Sequence, residues 1–281
     1  MRSVVRGTRE GGAARAAATG AVLLAGLATA AFARGARAAD PAPAASPAAA
    51  ARLAIDPAVL AAQPEAVARA LRANVAIERD EGPGRPATVA AGVILRLHDG
   101  TATIATAQHV VDPRFTGGAH VPSKPETLPT ITVASIGGVR VRAKVEWLAP
   151  HGVDLAILSA RLADPEARAA AWTGDAPLPK TGEAVFTIGN PKGNGWARAD
   201  GSVKQHREAR QDGFDYTMLW SEVVVQPGFS GGGLHDAQGR LVAINSTRGA
   251  ISAGLRGALL LSTPLRALVA LAPAELRRGG G

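Results

Sequence analysis

From about Asn74 to Leu268 the chain is a succession of short β-branched and aliphatic runs broken by Gly, Asp and Pro, a rhythm that suits strands and turns and not helices. Strands are expected at Thr88 to Leu97, Thr101 to Thr106, Thr130 to Ile136, Val139 to Leu148 and Leu155 to Ala160, and then at Ala184 to Ile188, Met218 to Val225, Leu234 to His235 and Leu241 to Ser246. Asp99-Gly100, Gly137-Gly138 and Asp236-Ala237-Gln238-Gly239 supply turns. The segment Arg161 to Lys180, rich in Ala and Pro, interrupts the pattern and leaves two strand groups of similar size, residues 76–160 and 181–262. An all-β domain of two packed barrels joined by a linker, spanning residues 76–268, is the architecture this predicts.

The flanking segments read differently. Asp56-Pro57 opens a helical stretch within residues 53–75, running to about Arg72, with Leu60, Val67 and Leu71 as its buried stripe and Pro64 expected to kink or split it. Leu265 to Leu271 predicts a short C-terminal helix. Residues 40–52 are a Pro/Ala-rich linker with nothing to pack. Before it, a charged start, an uncharged stretch from Ala16 to Ala33 and the small-residue run Ala36-Arg37-Ala38-Ala39 predict an export signal over residues 1–39, hence a periplasmic or secreted protein. A leader that stays uncleaved would instead anchor it to a membrane.

Charge and cysteine usage narrow the function. Residues 1–39 carry six arginines against one acid, +5 of the total +8, which leaves +3 for the rest, so a nucleic-acid partner is not expected. There is no cysteine, so disulfides, a thiol nucleophile and cysteine zinc sites are excluded.

Gln226-Pro227-Gly228-Phe229-Ser230-Gly231-Gly232-Gly233 fences a serine with glycines, as a nucleophile in a tight turn requires. His109 follows a strand of small and β-branched residues and begins a short helical turn, where an imidazole can be packed on one side and face a cleft on the other. Asp154 stands at the mouth of an apolar strand, where a carboxylate can orient an imidazole N–H. Taken singly, these could be a hairpin turn, a buried structural histidine and a strand-start cap. Their joint occurrence points to acyl transfer: Asp154 holds His109, His109 takes the Ser230 proton, and the N–H groups of Gly228 and Ser230 bind the oxyanion.

The order His109, Asp154, Ser230, with the first two in one strand group and the serine in the other, resembles the chymotrypsin-like arrangement. Thr106-Ala107-Gln108-His109-Val110-Val111, Asp154-Leu155-Ala156-Ile157-Leu158, Ile188-Gly189-Asn190-Pro191, Pro227-Gly228-Phe229-Ser230-Gly231-Gly232 and Gly239 to Asn245 resemble, in sequence order, five boxes of the HtrA/Deg-type trypsin-like serine proteases. The resemblance implies two six-stranded antiparallel β-barrels with the site between them, an endopeptidase acting on protein or peptide substrates, and no cofactor or metal. It also implies a substrate pocket shaped by Val224, Val225 and Asn245, Ser246 and Thr247. No acid stands there, so cleavage after small or medium aliphatic residues is expected, with an extended substrate pairing along Asn245 to Thr247. With the sequence ending at residue 281, no PDZ domain is expected.

Three positions depart from the family pattern: Phe229 replaces a small or polar residue before the serine, Gln108 an alanine before the histidine, and Ala243 a glycine. Phe229 supports an alternative of another class, a catalytically idle trypsin-like fold serving as a binding or regulatory module. An esterase of the hydrolase fold would carry Ser before Asp before His, the reverse of the order here. A histidine metal site would need closely spaced ligands that the sequence lacks.

Overall fold

The computed structural model describes residues 53–117, 121–246 and 260–277; the leader, the Pro/Ala-rich linker and Thr247 lie outside them. Within them β1 (Asn74–Arg79), β2 (Thr88–His98), β3 (Thr101–Thr106), β4 (Ile131–Ala134), β5 (Arg140–Leu148) and β6 (Ala156–Arg161) close into an antiparallel barrel in the order β1-β2-β3-β6-β5-β4. A second closed barrel follows, formed by β7 (Ala184–Gly189), β8 (Ala197–Gln211), β9 (Phe214–Ser221), β10 (Gly233–Asp236), β11 (Leu241–Ser246) and β12 (Leu260–Pro264) in the order β10-β11-β12-β9-β8-β7. Closure leaves neither sheet with a free edge running its length.

Three of these strands were not expected from the sequence, and each has a physical reason. Within the segment 53–75 the helix stops at Ala73, one residue past the expected Arg72; Asn74 is already extended (φ −86°, ψ 147°) and opens β1. β8 is rich in Arg and other polar residues and mostly exposed, so its pairing with β7 and β9 leaves little trace in hydrophobic alternation. β9 begins four residues earlier than expected because Asp212-Gly213, with φ of 45° and 79°, forms a two-residue hairpin turn. β12 is a five-residue run buried throughout, so it shows no apolar–polar alternation, and it leads straight into the helix that starts at Leu265.

The barrels share a core. Val93, Leu95, Ala105, Leu155 and Ile157 from the first meet Tyr216, Leu241 and Ile244 from the second, with Leu265 and Leu268 closing one end. The connecting segment runs between the two and bonds to both: Ala170 N–H donates to the Ile94 carbonyl, while the Ala171 carbonyl accepts from Leu241 N–H, each at 2.8 Å. A bulge in β2 between Ile94 and Arg96 frees this stretch from regular pairing, and Trp172 Nε1 reaches the Leu95 carbonyl at 3.1 Å.

The helical segment is split into two short helices, α1 (Pro57–Ala61) and α2 (Glu65–Ala73), with Pro64 as the residue that separates them. Asp56 caps α1 by accepting from Ala58 N–H at 2.7 Å. Leu60, Val67 and Leu71 are buried against Ile136, Phe186 and Ile188, so the helices span from one barrel to the other. Burial of each such side chain contributes about 2 kcal/mol. A one-turn helix α3 (Gln108–Val111) follows β3, and α4 (Leu265–Leu271) and α5 (Ala274–Arg277) end the described chain.

Beside this docking site sits His235 of β10, fully buried with its ring stacked on Phe186 at 5.3 Å between centroids. Burial pushes its imidazole down to a pKa of about 4. The unfolded chain therefore binds a proton below about pH 6.5 that the folded one refuses until about pH 4. Stability should fall by roughly 2–3 kcal/mol from this residue alone as pH drops across that window. Urea unfolding of wild type and His235→Leu at pH 7.5 and pH 4.5 checks this: the variant should lose less stability on acidification by that amount, and parallel losses would refute it.

Candidate active site

His109 sits in α3, which starts where β3 ends, because Thr106 closes the strand and Ala107 provides an extended N-cap (φ −79°, ψ 143°). Asp154 lies two residues before β6, in a loop whose Val153 and Leu155 are fully buried in the shared core. The two meet closely. Asp154 Oδ2 accepts from His109 Nδ1 at 2.7 Å and Oδ1 accepts from the His109 backbone N–H at 2.9 Å. A third donor comes from the other barrel: the Ser246 hydroxyl of β11 donates to Oδ2.

These contacts set the charge of the group. Burial alone would raise the Asp154 pKa, but the His109 imidazole beside it and the bonds from the His109 ring, the Ser246 hydroxyl and the His109 N–H outweigh it and hold the carboxyl below its usual range. A carboxylate at Nδ1 fixes the proton on that nitrogen and leaves Nε2 with its lone pair. Gln108, buried and departing from the family pattern, has a local role: with its amide turned so that nitrogen meets oxygen, it donates to the Val153 and Ala149 carbonyls at 3.2 Å each. It thereby ties the His109 turn to the Asp154 loop.

The Asp154 loop has an outer brace as well. The tip of the β8–β9 hairpin reaches it, with Phe214 stacked on His151 at 5.8 Å and Asp212 at 3.4 Å from His151 Nδ1. On the same hairpin Tyr216 is pushed up to a pKa of about 12, first by burial and then by the Asp154 carboxylate, so its hydroxyl stays protonated and donates to Gln211 Oε1 at 2.8 Å.

Ser230 is carried by the loop between β9 and β10. Its carbonyl accepts from Ala91 N–H of β2 at 2.9 Å, Gly231 N–H donates to the Asn245 carbonyl at 2.8 Å, and Asn245 N–H returns a bond to the Gly232 carbonyl at 2.8 Å. Gly231 (φ 78°) packs so closely that a Cβ there would stand 2.0 Å from Thr106 Oγ1 and 3.0 Å from Ala107 N. The serine loop is thus seated against the residues that lead into the His109 turn. At its other end Gly228 (φ 110°) accepts from Asn190 N–H at 3.0 Å through its carbonyl, and its own N–H has no acceptor among the described residues.

The expected pocket residues divide. Val224 is 75% exposed, whereas Val225 is half-buried against the second barrel's core. Asn245, expected along the substrate edge, is fully buried with both backbone groups engaged by the serine loop. Its Nδ2 donates to Thr187 Oγ1 at 2.6 Å and to the Phe229 carbonyl at 3.2 Å, so it supports the loop from inside the barrel and offers no free backbone group for pairing. Ser246 spends its hydroxyl on Asp154, a role the sequence did not signal.

Phe229 does not line the cleft face of the turn in the way its position suggested. Its side chain is buried, 3% exposed, and fills the space over Gly189, where a Cβ would lie 2.5 Å from the ring and 2.8 Å from the Phe229 Cα. Bulk before the serine is accommodated by glycine across from it.

The sequence pattern of the trypsin-like peptidase domain matches residues 90–244, more than half of the chain, and runs from β2 through β11. The chain belongs to the trypsin-like peptidase family. Among curated members it is 28% identical over 166 residues to the serine protease Do-like HtrA of Bacillus subtilis (strain 168), over 56% of this chain and 33% of that protein. It therefore spans about a third of the length of that relative. Solved HtrA-type structures share the fold: the protease AlgW with a tripeptide (TM-score 0.52, 24% identity) is matched over 71% of this chain and 58% of its own. A serine endoprotease from Yersinia pestis (TM-score 0.55, 23% identity) is matched over 76% and 65%.

Because the Cβ of an alanine at residue 189 would collide with backbone as well as ring, Gly189→Ala should destabilise the fold by about 1–3 kcal/mol. Chemical denaturation of the single variant measures it, and an unchanged midpoint would show that Phe229 does not depend on the glycine.

Proposed function

We propose that this trypsin-like domain is an exported serine endopeptidase in which Asp154, His109 and Ser230 act as a triad. The observation that carries the reading is the double hold of Asp154 on the His109 ring and backbone, next to a serine loop whose Gly231 packs against Thr106 and Ala107, the residues that lead into the His109 turn. Nε2 takes the proton as Ser230 Oγ attacks the peptide carbonyl, and the Asp154 carboxylate stabilises the imidazolium that forms. The N–H groups of Gly228 and Ser230 receive the oxyanion, a contribution of about 3 kcal/mol per donor. His109 then returns the proton to the leaving amine, and water, deprotonated by the same nitrogen, releases the acyl group from Ser230.

The substrate is read as a protein or peptide cleaved after small or medium aliphatic residues, since Val224 and Val225 precede the serine where an acid would be needed to attract Lys or Arg. Residues 1–39 carry the export reading, periplasmic or secreted. No helix among the described residues is long and apolar enough to cross a membrane. The idle-fold alternative rests on Phe229 crowding the serine, and the burial of that ring over Gly189 supports the catalytic reading against it.

A fluorophosphonate probe should label Ser230 in wild type and nothing in Ser230→Ala, and the variant should lose turnover on the order of a million-fold while unfolding like wild type. Well-folded wild type that does not label would refute the triad. In a peptide library, cleavage should fall after Val, Ala or Leu; a preference for Arg would overturn the pocket assignment.

A further inference from the structure

The helix that carries His109 is a single turn, too short to hold itself. Of its carbonyls, that of Gln108 accepts from Asp112 N–H at 2.8 Å, which leaves those of His109 and Val110 without a helical partner. Both are met by one side chain from the barrel wall. Arg79, the last residue of β1, donates from Nη1 to the His109 carbonyl at 3.0 Å and to the Val110 carbonyl at 2.9 Å.

The rest of the guanidinium is equally committed. Nε and Nη2 donate to Glu81 Oε1 at 2.8 and 2.6 Å, and Nη2 also reaches Thr88 Oγ1 at 3.4 Å. A guanidinium has five N–H donors, and five contacts use them. Arg79 is 8% exposed, and its backbone is fixed by pairing with Thr88 of β2 and Ile131 of β4. Thr88 in turn donates to Glu81 Oε1 at 2.5 Å, locking the carboxylate that orients the fork.

We propose that Arg79 is a positioning residue for the reaction, holding the His109 turn from its carbonyl side while Asp154 holds it from the amide and ring side. The inference rests on His109 being the base. With the amide and carbonyl of one residue anchored to charged side chains of different elements, the peptide planes on both sides of its Cα are held, and the His109 backbone is fixed by the first barrel. Lysine cannot substitute: its ammonium lacks the planar fork needed to satisfy two adjacent carbonyls and Glu81 together.

The test compares full-length wild type, Arg79→Lys and Arg79→Met for fluorophosphonate labelling rate, for kcat and KM on a peptide substrate, and for stability in denaturant. R79K keeps a positive charge for Glu81 and should fold, yet label and turn over ~10- to 100-fold more slowly with KM changed by less than about threefold; R79M should be slower still. If R79K does not fold, R79M combined with E81Q removes both charges together and carries the same comparison. Wild type that labels while folded R79K labels equally fast, or a loss that lies wholly in KM, overturns the role of Arg79 and leaves the triad intact. Wild type that fails to label overturns the triad itself, and Arg79's role with it.

Discussion

A buried carboxylate with three donors organises this molecule. Asp154 could not remain ionised in the shared core unless its charge were met, and the groups that meet it come from both barrels: the ring and amide of His109 on one side, the Ser246 hydroxyl on the other. Removing any of them would leave a desolvated acceptor in the interior, at a cost of about 1–3 kcal/mol for each unmet bond. The same bonds that make the charge tolerable fix the relation of the His109 turn to β11, and so to the serine loop that β11 supports through Asn245.

Much of this was legible in the residues. The alternation of short apolar runs and turns marked nine strand segments, and the break at 161–180 divided them as the barrels do. The helical stripe Leu60, Val67 and Leu71 is buried as its spacing indicated. His109 and Asp154 stood out because each sits at the end of an apolar strand, which is where a barrel delivers a polar side chain to its rim. What stayed hidden was of another kind. β8 pairs by its backbone while its side chains face water, so no hydrophobic period betrays it. Asn245 and Ser246, both expected at the substrate pocket, instead support the serine loop and Asp154, because neighbouring strand residues face opposite ways and only packing tells which faces the carboxylate. Arg79 looks in the sequence like any surface arginine at a strand end; its two carbonyl acceptors are thirty residues away.

Departures from the family pattern proved informative for the same reason. Gln108 brings an amide that an alanine could not, and uses it to join the His109 turn to the Asp154 loop. Phe229 trades a small residue for a ring that needs a void, and Gly189 supplies it. In both cases the unusual residue is answered by a partner elsewhere, so the substitution is best understood as half of a pair.

The contact between Ala91 N–H and the Ser230 carbonyl joins the two barrels through main chain alone. Such a link is invisible to ordinary amino-acid exchange, since every residue but proline brings the same amide to position 91. Side-chain changes can therefore reshape the cleft walls while this seat of the serine, made of main chain, does not depend on them.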